Sequence, residues 1–199
     1  MKPPADYTKK VLLLLPPGAE ALEAAAFIDV FGWHHVIGSA LCQLITCSAQ
    51  REVPLSFGQV LLAQNLLSEV AVTDYAALAL PGGFGSYGFY EHACSDPYIS
   101  LIRAFDTHTK PIAAVCTGAI ALAHAGLLKN RRATTYSKEA GWAKQLQQAG
   151  ACFTNAPLEI DGHIITSQNP ASAAPVALTL LEILAGAKER ALIQEQMGF

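Results

Sequence analysis

The fold is decided by the segment PIAAVCTGAIAL, residues 111–122, in which an apolar run reaches Cys116 and becomes an alanine-rich helical pattern without a spacer. Small residues lie two positions before the cysteine (Ala114) and two positions after it (Gly118). This spacing is typical of a nucleophile elbow, a strand-to-helix turn that is too tight for bulky neighbours and lifts the central side chain above the sheet. The free N–H groups and the dipole at the helix start are expected to favour a thiolate there.

The same change from apolar run to helical pattern recurs along the chain. Short apolar strands that alternate with helices indicate a mostly parallel sheet with helices on both faces. The predicted strands are residues 11–15, 41–47, 76–80, 112–115 and 163–166, and the predicted helices are 19–36, 98–108, 117–127, 138–148 and 172–184. We therefore predict an α/β fold of the doubly wound, flavodoxin-like kind.

The remaining segments suggest smaller elements and no domain boundary. Residues 51–68 are expected to form short edge strands, and residues 151–154 and 157–160 to form another strand pair before the Asp161-Gly162 turn. We predict one domain over residues 1–199, with a core at about 10–185 and a short C-terminal helix at 188–197.

Composition limits the classes of function. The chain has 199 residues, of which 52% are hydrophobic and 15% charged, so a packed core is expected. The net charge of -3 and the lack of a basic run argue against nucleic-acid binding. The apolar run at 11–15 is too short for a signal peptide, and no span approaches the ~20 residues of a transmembrane helix. We expect a cytoplasmic protein with no membrane partner.

The cysteines and histidines show no metal-binding spacing. The chain has five cysteines and six histidines but no CxxC pair and no HExxH pattern, so we predict neither a metal nor another cofactor. In the cytoplasm the cysteines should be reduced thiols. Cys42, Cys47 and Cys152 lie in or beside predicted strands and are expected to be buried and inert, whereas an elbow exposes Cys116.

A glycine pair follows another predicted strand. In open α/β sheets, sites form at the carboxyl ends of strands, and Gly82 and Gly83 occupy such an end. Residues 83–88 formally match GxGxxG, but the strand is not the first of the chain and no helix opens directly after the third glycine, so a dinucleotide site is not predicted. Two alternatives remain, a flexible turn or a close approach of the backbone to the cysteine, where N–H groups would form an oxyanion hole.

Two carboxylates begin the first long helix. Glu20 is expected to support the helix dipole. Glu23 is flanked by apolar residues, and a buried carboxylic acid would have a raised pKa and would be able to donate a hydrogen bond to a thiolate. Spacing alone does not choose between the two carboxylates.

Taken together, these segments resemble the ThiJ/PfpI superfamily, which includes deglycases and has the class I glutamine amidotransferase-like fold. The resemblance covers about residues 10–184 and rests on segments in a fixed order. They are GAEALE at 18–23, LPGG at 80–83, AAVCTG at 113–118, GLL at 126–128 leading to ATT at 133–135, and ITSQNP at 165–170. The first three segments in this order are specific to the family, although none would be specific alone.

The resemblance implies roles for individual residues. It makes Cys116 the nucleophile, Glu23 the acid that holds it, and the backbone N–H groups of Gly82–Gly83 and Thr117 the oxyanion donors. Many members have a histidine where this chain has Tyr136, and tyrosine is a poor base near neutral pH. A histidine-dependent protease or amidotransferase triad is therefore not expected, and Tyr136 is assigned an auxiliary role.

The leading hypothesis is a deglycase- or glyoxalase-type enzyme. Cys116 and Glu23 would act together on a small electrophilic carbonyl, either free or as part of a glycated protein. The alternatives are hydration of an isonitrile, a non-catalytic redox sensor or holdase with Cys116 oxidised to a sulfinate, and a sugar- or nucleotide-binding module with an incidental cysteine. The resemblance also implies a homodimer, and the sequence identifies no substrate.

Overall fold

A seven-stranded sheet forms the centre of the protein in a computed structural model that describes residues 9–199. Residues 1–8 lie outside the described residues, and with them part of the segment on which the signal-peptide argument rests. The strands are β1 (Lys9–Leu14), β2 (Cys42–Ser48), β3 (Glu52–Pro54), β4 (Val60–Leu62), β5 (Asn65–Leu66), β6 (Ala77–Leu80), β7 (Ile112–Ala114), β8 (Arg132–Ala133), β9 (Cys152–Phe153), β10 (Leu158–Asp161) and β11 (Ile164–Ser167). The central strands are continuous apolar runs because both faces of the sheet are covered.

The strand order explains how distant parts of the chain meet. The order is β10-β11-β7-β6-β1-β2-β5, and every neighbouring pair is parallel except β10 with β11. The chain passes from β1 to β2 on one side and then returns to β6 on the other side of β1. At such a switch point the loops diverge and leave a crevice at the carboxyl ends of the strands. The loops that follow β1, β6 and β7 meet at this edge.

Two layers of helices cover the sheet. The helices are α1 (Ala21–Ile37), α2 (Phe89–Ala93), α3 (Asp96–Thr107), α4 (Gly118–His124), α5 (Ala140–Gln148), α6 (Ala173–Ala185) and α7 (Ala187–Gln196). Helices α1, α6 and α7 contact one another in one layer, and α2 to α5 contact one another in the second. The predicted doubly wound architecture is confirmed. Within residues 9–199, no helix has the length and apolar character needed to cross a bilayer.

One predicted strand pairing is wrong. Residues 151–154 and 157–160 do not pair with each other; β9 pairs in parallel with β8, and β10 pairs antiparallel with β11. The physical reason is the Asp161-Gly162 turn, where Gly162 has a φ of 62° and allows a tight hairpin between β10 and β11. The short strands of residues 51–68 are confirmed as the β3–β4 hairpin and the edge strand β5.

Of the three cysteines outside the elbow that were expected to be buried, two are buried and one is exposed. Cys42 and Cys47 are buried in β2, as expected, and burial raises their pKa to about 11 and about 12 respectively, so both are inert thiols at neutral pH. Cys152 is exposed, contrary to expectation, because β9 belongs to a two-stranded sheet apart from the central one.

Candidate active site

Cys116 occupies a tight turn between β7 and α4. Its φ of 54° lies in the left-handed region, which residues other than glycine rarely adopt. Its N–H donates to the carbonyl of Ser167 at 3.0 Å, and its carbonyl accepts from the Thr135 hydroxyl at 3.0 Å. These bonds hold the strained residue in place. A Cβ at Gly118 would lie 2.9 Å from the Pro81 carbonyl oxygen, which explains why a small residue stands two positions after the cysteine.

Glu23 reaches the elbow from the first turn of α1 and is fully buried. Its Oε2 accepts a hydrogen bond from the Gly82 N–H at 2.5 Å, whereas Oε1 has no well-aligned partner among the described residues. Burial, the largest cause, raises the pKa of Glu23 to about 8; the charge of Glu20 also raises it, while hydrogen bonding to Gly82 and Cys116 opposes the shift. At neutral pH Glu23 is therefore mainly a carboxylic acid beside the sulfur.

The pKa of the Cys116 thiol is raised, opposite to the direction predicted from the helix start. Burial is the largest cause and the charge of Glu23 the next, while the Thr117 N–H lowers the pKa. This N–H does not offset the loss of water around the sulfur. Cys116 and Glu23 titrate as a coupled pair, because removal of both protons would place two negative charges in contact. The raised pKa therefore favours a thiol at Cys116, in place of the standing thiolate that was expected.

The glycine pair after β6 fixes the site through its backbone. The Gly83 N–H donates to the Thr117 hydroxyl at 3.1 Å, and the Gly83 carbonyl accepts from the same hydroxyl at 3.1 Å. A Cβ at Gly83 would clash with the Gly18 carbonyl oxygen, and one at Gly82 would lie 2.7 Å from Thr117 Oγ1. Of the two alternatives, close backbone approach is the observed one. Both glycine N–H groups already have acceptors within the protein, so their oxyanion role stays a prediction.

A cavity of about 500 Å³ opens over Cys116. Gly83, Thr117 and Tyr136 line it, so the structure brings these predicted site residues together around the sulfur. The rest of the wall is formed by Glu20, Phe84, Gly85, Ser86, Tyr90, Glu139, Trp142 and Pro170, and of these the sequence did not identify Glu139, Trp142 or Pro170 as site residues. A larger cavity beside α6, lined by His163 and Arg190, contains none of the predicted site residues.

Two aromatic residues of this wall contact each other. The rings of Tyr90 and Trp142 contact each other, with centroids 4.6 Å apart and planes tilted by 33°. The Tyr90 hydroxyl donates to the Gly83 carbonyl at 3.3 Å. Burial raises the pKa of Tyr90 to about 12, so this hydroxyl remains a hydrogen-bond donor across the neutral and mildly alkaline range.

Known proteins are similar to this chain in sequence and in fold. Protein DJ-1 homolog A of Arabidopsis thaliana is 30% identical over 188 residues, which cover 94% of this chain and 45% of that protein. Isonitrile hydratase of Pseudomonas putida is 30% identical over 149 residues, covering 74% of this chain and 61% of that protein. The crystal structure of Drosophila melanogaster DJ-1beta matches with a TM-score of 0.83 and 25% identity, covering 95% of this chain and 97% of that one.

The extent of these matches decides the family. The chain spans less than half the length of the two Arabidopsis proteins that it matches, 45% and 41%. The model of the DJ-1/PfpI family matches residues 9–183, nearly all of this chain. This match confirms the resemblance found in the sequence, and the chain belongs to the DJ-1/PfpI family.

Proposed function

We propose that the protein is a cysteine-dependent enzyme that converts a small electrophilic carbonyl compound through Cys116 and Glu23. The observation that carries the proposal is the buried Glu23 carboxyl, fixed by the Gly82 N–H and in contact with the sulfur. A group with a pKa of about 8 can both give and take a proton near neutral pH. Tyr136 in place of a histidine suits chemistry that needs only a thiol and one acid.

The steps can be written for methylglyoxal. The sulfur of Cys116 bonds to the aldehyde carbon while Glu23 relays the thiol proton to the aldehyde oxygen, which gives a hemithioacetal. Glu23 in its ionised form moves the proton of that carbon to the neighbouring carbonyl carbon, the hydroxyl proton passes to the neighbouring oxygen, and a thioester of lactate results. Water cleaves the thioester and restores the thiol. One methylglyoxal and one water thus give one lactate, and the Thr117 N–H is the donor proposed for the developing oxyanion.

Lactate formation from methylglyoxal by the purified protein tests this proposal. The wild type is expected to form lactate, and Cys116→Ala and Glu23→Gln are each expected to be slower by at least about 100-fold. Cys152→Ala removes an exposed thiol outside the cavity and should keep the wild-type rate. Equal rates for the wild type and Cys116→Ala would refute the proposal.

A second candidate is hydration of an isonitrile, favoured by the 30% identity to isonitrile hydratase over 74% of the chain. The sulfur of Cys116 would bond to the terminal carbon, Glu23 would protonate that carbon, and water would displace the sulfur to release an N-substituted formamide. An assay with an alkyl isonitrile alongside methylglyoxal separates the two reactions. Formamide without lactate would replace the first proposal.

A non-catalytic sensor is the third candidate, because a neutral carboxylic acid beside a sulfur can donate a hydrogen bond to a sulfinate. In this role hydrogen peroxide would oxidise Cys116 and no carbonyl or isonitrile would turn over. Intact-mass analysis after mild peroxide treatment would then show the gain of two oxygen atoms in the wild type and none in Cys116→Ala. Turnover of either substrate would reject the purely sensory role.

We also propose a homodimer. One side of α1 leaves Leu22, Trp33 and Val36 exposed at helical spacing, to 60%, 40% and 65% respectively. Apolar groups grouped on one face are typical of an interface between subunits. Analytical ultracentrifugation should give the mass of two chains for the wild type, and a monomer at all concentrations would contradict the proposal.

A further inference from the structure

The ionisable side chains around the cavity over Cys116 carry one sign of charge. Glu20 and Glu139 line its wall, and no lysine, arginine or histidine occurs among the described residues that line it. The Glu20 N–H donates to the Gly82 carbonyl at 2.9 Å, which anchors this carboxylate beside the glycine pair. A ligand that approaches the sulfur therefore passes two carboxylates and meets no cation in the wall.

The influence of these carboxylates reaches the groups at the sulfur. The charge of Glu20 raises the pKa of Cys116 and of Glu23, and the charge of Glu139 raises the pKa of Tyr90. A cleft lined by one sign of charge concentrates ligands of the opposite sign and repels those of the same sign. The acidic wall thus acts at the place where a substrate would react.

The aromatic part of the wall acts in the same direction. The rings of Tyr90 and Trp142 contact each other, and Tyr136 and Phe84 line the same cavity. Faces of aromatic rings attract ammonium and guanidinium groups. A phosphate or carboxylate is instead recognised by basic side chains or by free backbone N–H groups. The N–H groups of the glycine pair already have acceptors, so they offer no such site.

Glu23 does not supply the charge that a ligand meets in this cavity. It is fully buried and does not line the cavity, and at neutral pH it is mainly a carboxylic acid. The charge of the wall is therefore that of Glu20 and Glu139.

We infer that the cavity selects uncharged or cationic substrates and rejects anionic ones. For the reaction proposed above, on which this inference rests for its chemistry, the preferred compounds are neutral carbonyls and carbonyls bearing an ammonium or guanidinium group. Phosphorylated sugars and keto acids are disfavoured. The charge preference itself is a property of the wall and can be measured without any turnover.

Thiol reagents of matched size and opposite charge test the inference. Purified protein is treated at low ionic strength with aminoethyl or sulfonatoethyl methanethiosulfonate, and modification is followed by peptide mass spectrometry at Cys116 and at the exposed Cys152. Both reagents attack the same thiolate, so the ratio of their rates does not depend on the pKa of the thiol. The ratio of cationic to anionic reagent should be at least about tenfold higher at Cys116 than at Cys152, and salt should reduce it.

Charge-removing variants provide the controls. In the double variant Glu20→Gln/Glu139→Gln the ratio at Cys116 should approach that at Cys152 to within about twofold. Ser86→Ala changes an uncharged residue of the same wall and should keep the wild-type ratio. The inference is overturned by equal ratios at the two cysteines of the wild type, by a ratio that the double variant leaves unchanged, or by a Cys116 that neither reagent modifies.

A separate assay with methylglyoxal distinguishes this inference from the proposed function. A protein that forms no lactate but shows the charge preference rejects the proposed reaction and leaves the selectivity standing. An active protein without the preference does the reverse.

Discussion

The burial of Glu23 should make the protein less stable as the pH rises, and Glu23→Gln should abolish that loss. A carboxyl whose pKa is raised by folding holds its proton more tightly in the folded than in the unfolded state. Its favourable effect on stability is complete below the unfolded pKa of 4.5 and disappears as the pH rises through the folded pKa of about 8. The loss is therefore concentrated between these two values.

The magnitude follows from the difference in proton binding. The pKa of Glu23 is 4.5 in the unfolded chain and about 8 in the folded protein. Between about pH 5 and about pH 7.5, this difference lowers the folding equilibrium constant by about 2.3 powers of ten. At about 1.4 kcal/mol per power of ten, the wild type should lose about 3 kcal/mol of unfolding free energy that the glutamine variant keeps. Glutamine is similar in size and its amide oxygen can still accept from the Gly82 N–H, so the comparison isolates the ionisation.

Urea unfolding at both pH values, followed by circular dichroism, measures this difference. The change between the two pH values is compared for the wild type and Glu23→Gln, so that the titration of other groups cancels. Glu195→Gln, which removes a carboxylate exposed on α7, serves as the control and should behave like the wild type. The reasoning is refuted if the wild type and Glu23→Gln lose stability equally between the two pH values.

Three further predictions concern the framework of the site. Gly83→Ala should destabilise the protein by about 3 kcal/mol, because its Cβ would lie 2.6 Å from the Phe89 ring. In the control Gly141→Ala the Cβ meets no atom within 4 Å, so this variant should be neutral or stabilising. Thermal unfolding measures the stability of both variants. Thr117→Val should lower the free energy of unfolding in urea by about 2 kcal/mol, because the buried N–H of Gly83 loses its acceptor. Thr117→Ser keeps the hydroxyl and should recover most of this loss. Equal losses in the two variants would contradict the hydrogen-bond argument. Tyr90→Phe should slow carbonyl turnover about tenfold. The effect should be the same at every pH between about 6 and 9, because the Tyr90 hydroxyl has a pKa of about 12 and stays protonated throughout this range. An effect that varies with pH would show that another group titrates.

The elbow and the layer order were predictable because they depend on local patterns. Small residues on both sides of Cys116 and a glycine pair after an apolar strand are visible in the sequence, and the structure gives the reason for them in close backbone approach. Parallel strands that are buried on both faces also leave a direct signal as continuous apolar runs.

The aromatic contact across the cavity wall could not be predicted, because its residues come from segments that only packing brings together. Tyr90 lies on the short helix α2, which the sequence pattern did not indicate, and its partner Trp142 lies on α5. The direction of the Cys116 pKa was missed for a related reason. The helix start is a local feature, whereas loss of water around the sulfur and the charge of Glu23 depend on the finished fold.

The backbone conformation of Cys116 favours a residue that has no thiol. Folding stability and retention of the thiol therefore make opposite demands on this position. A φ of 54° suits glycine, so Cys116→Gly should relax the turn by about 1 kcal/mol relative to Cys116→Ala, although neither variant has a thiol. Directed evolution for heat resistance alone would therefore tend to eliminate the thiol. Engineering of a more durable form should keep this residue fixed and seek its improvements elsewhere in the molecule.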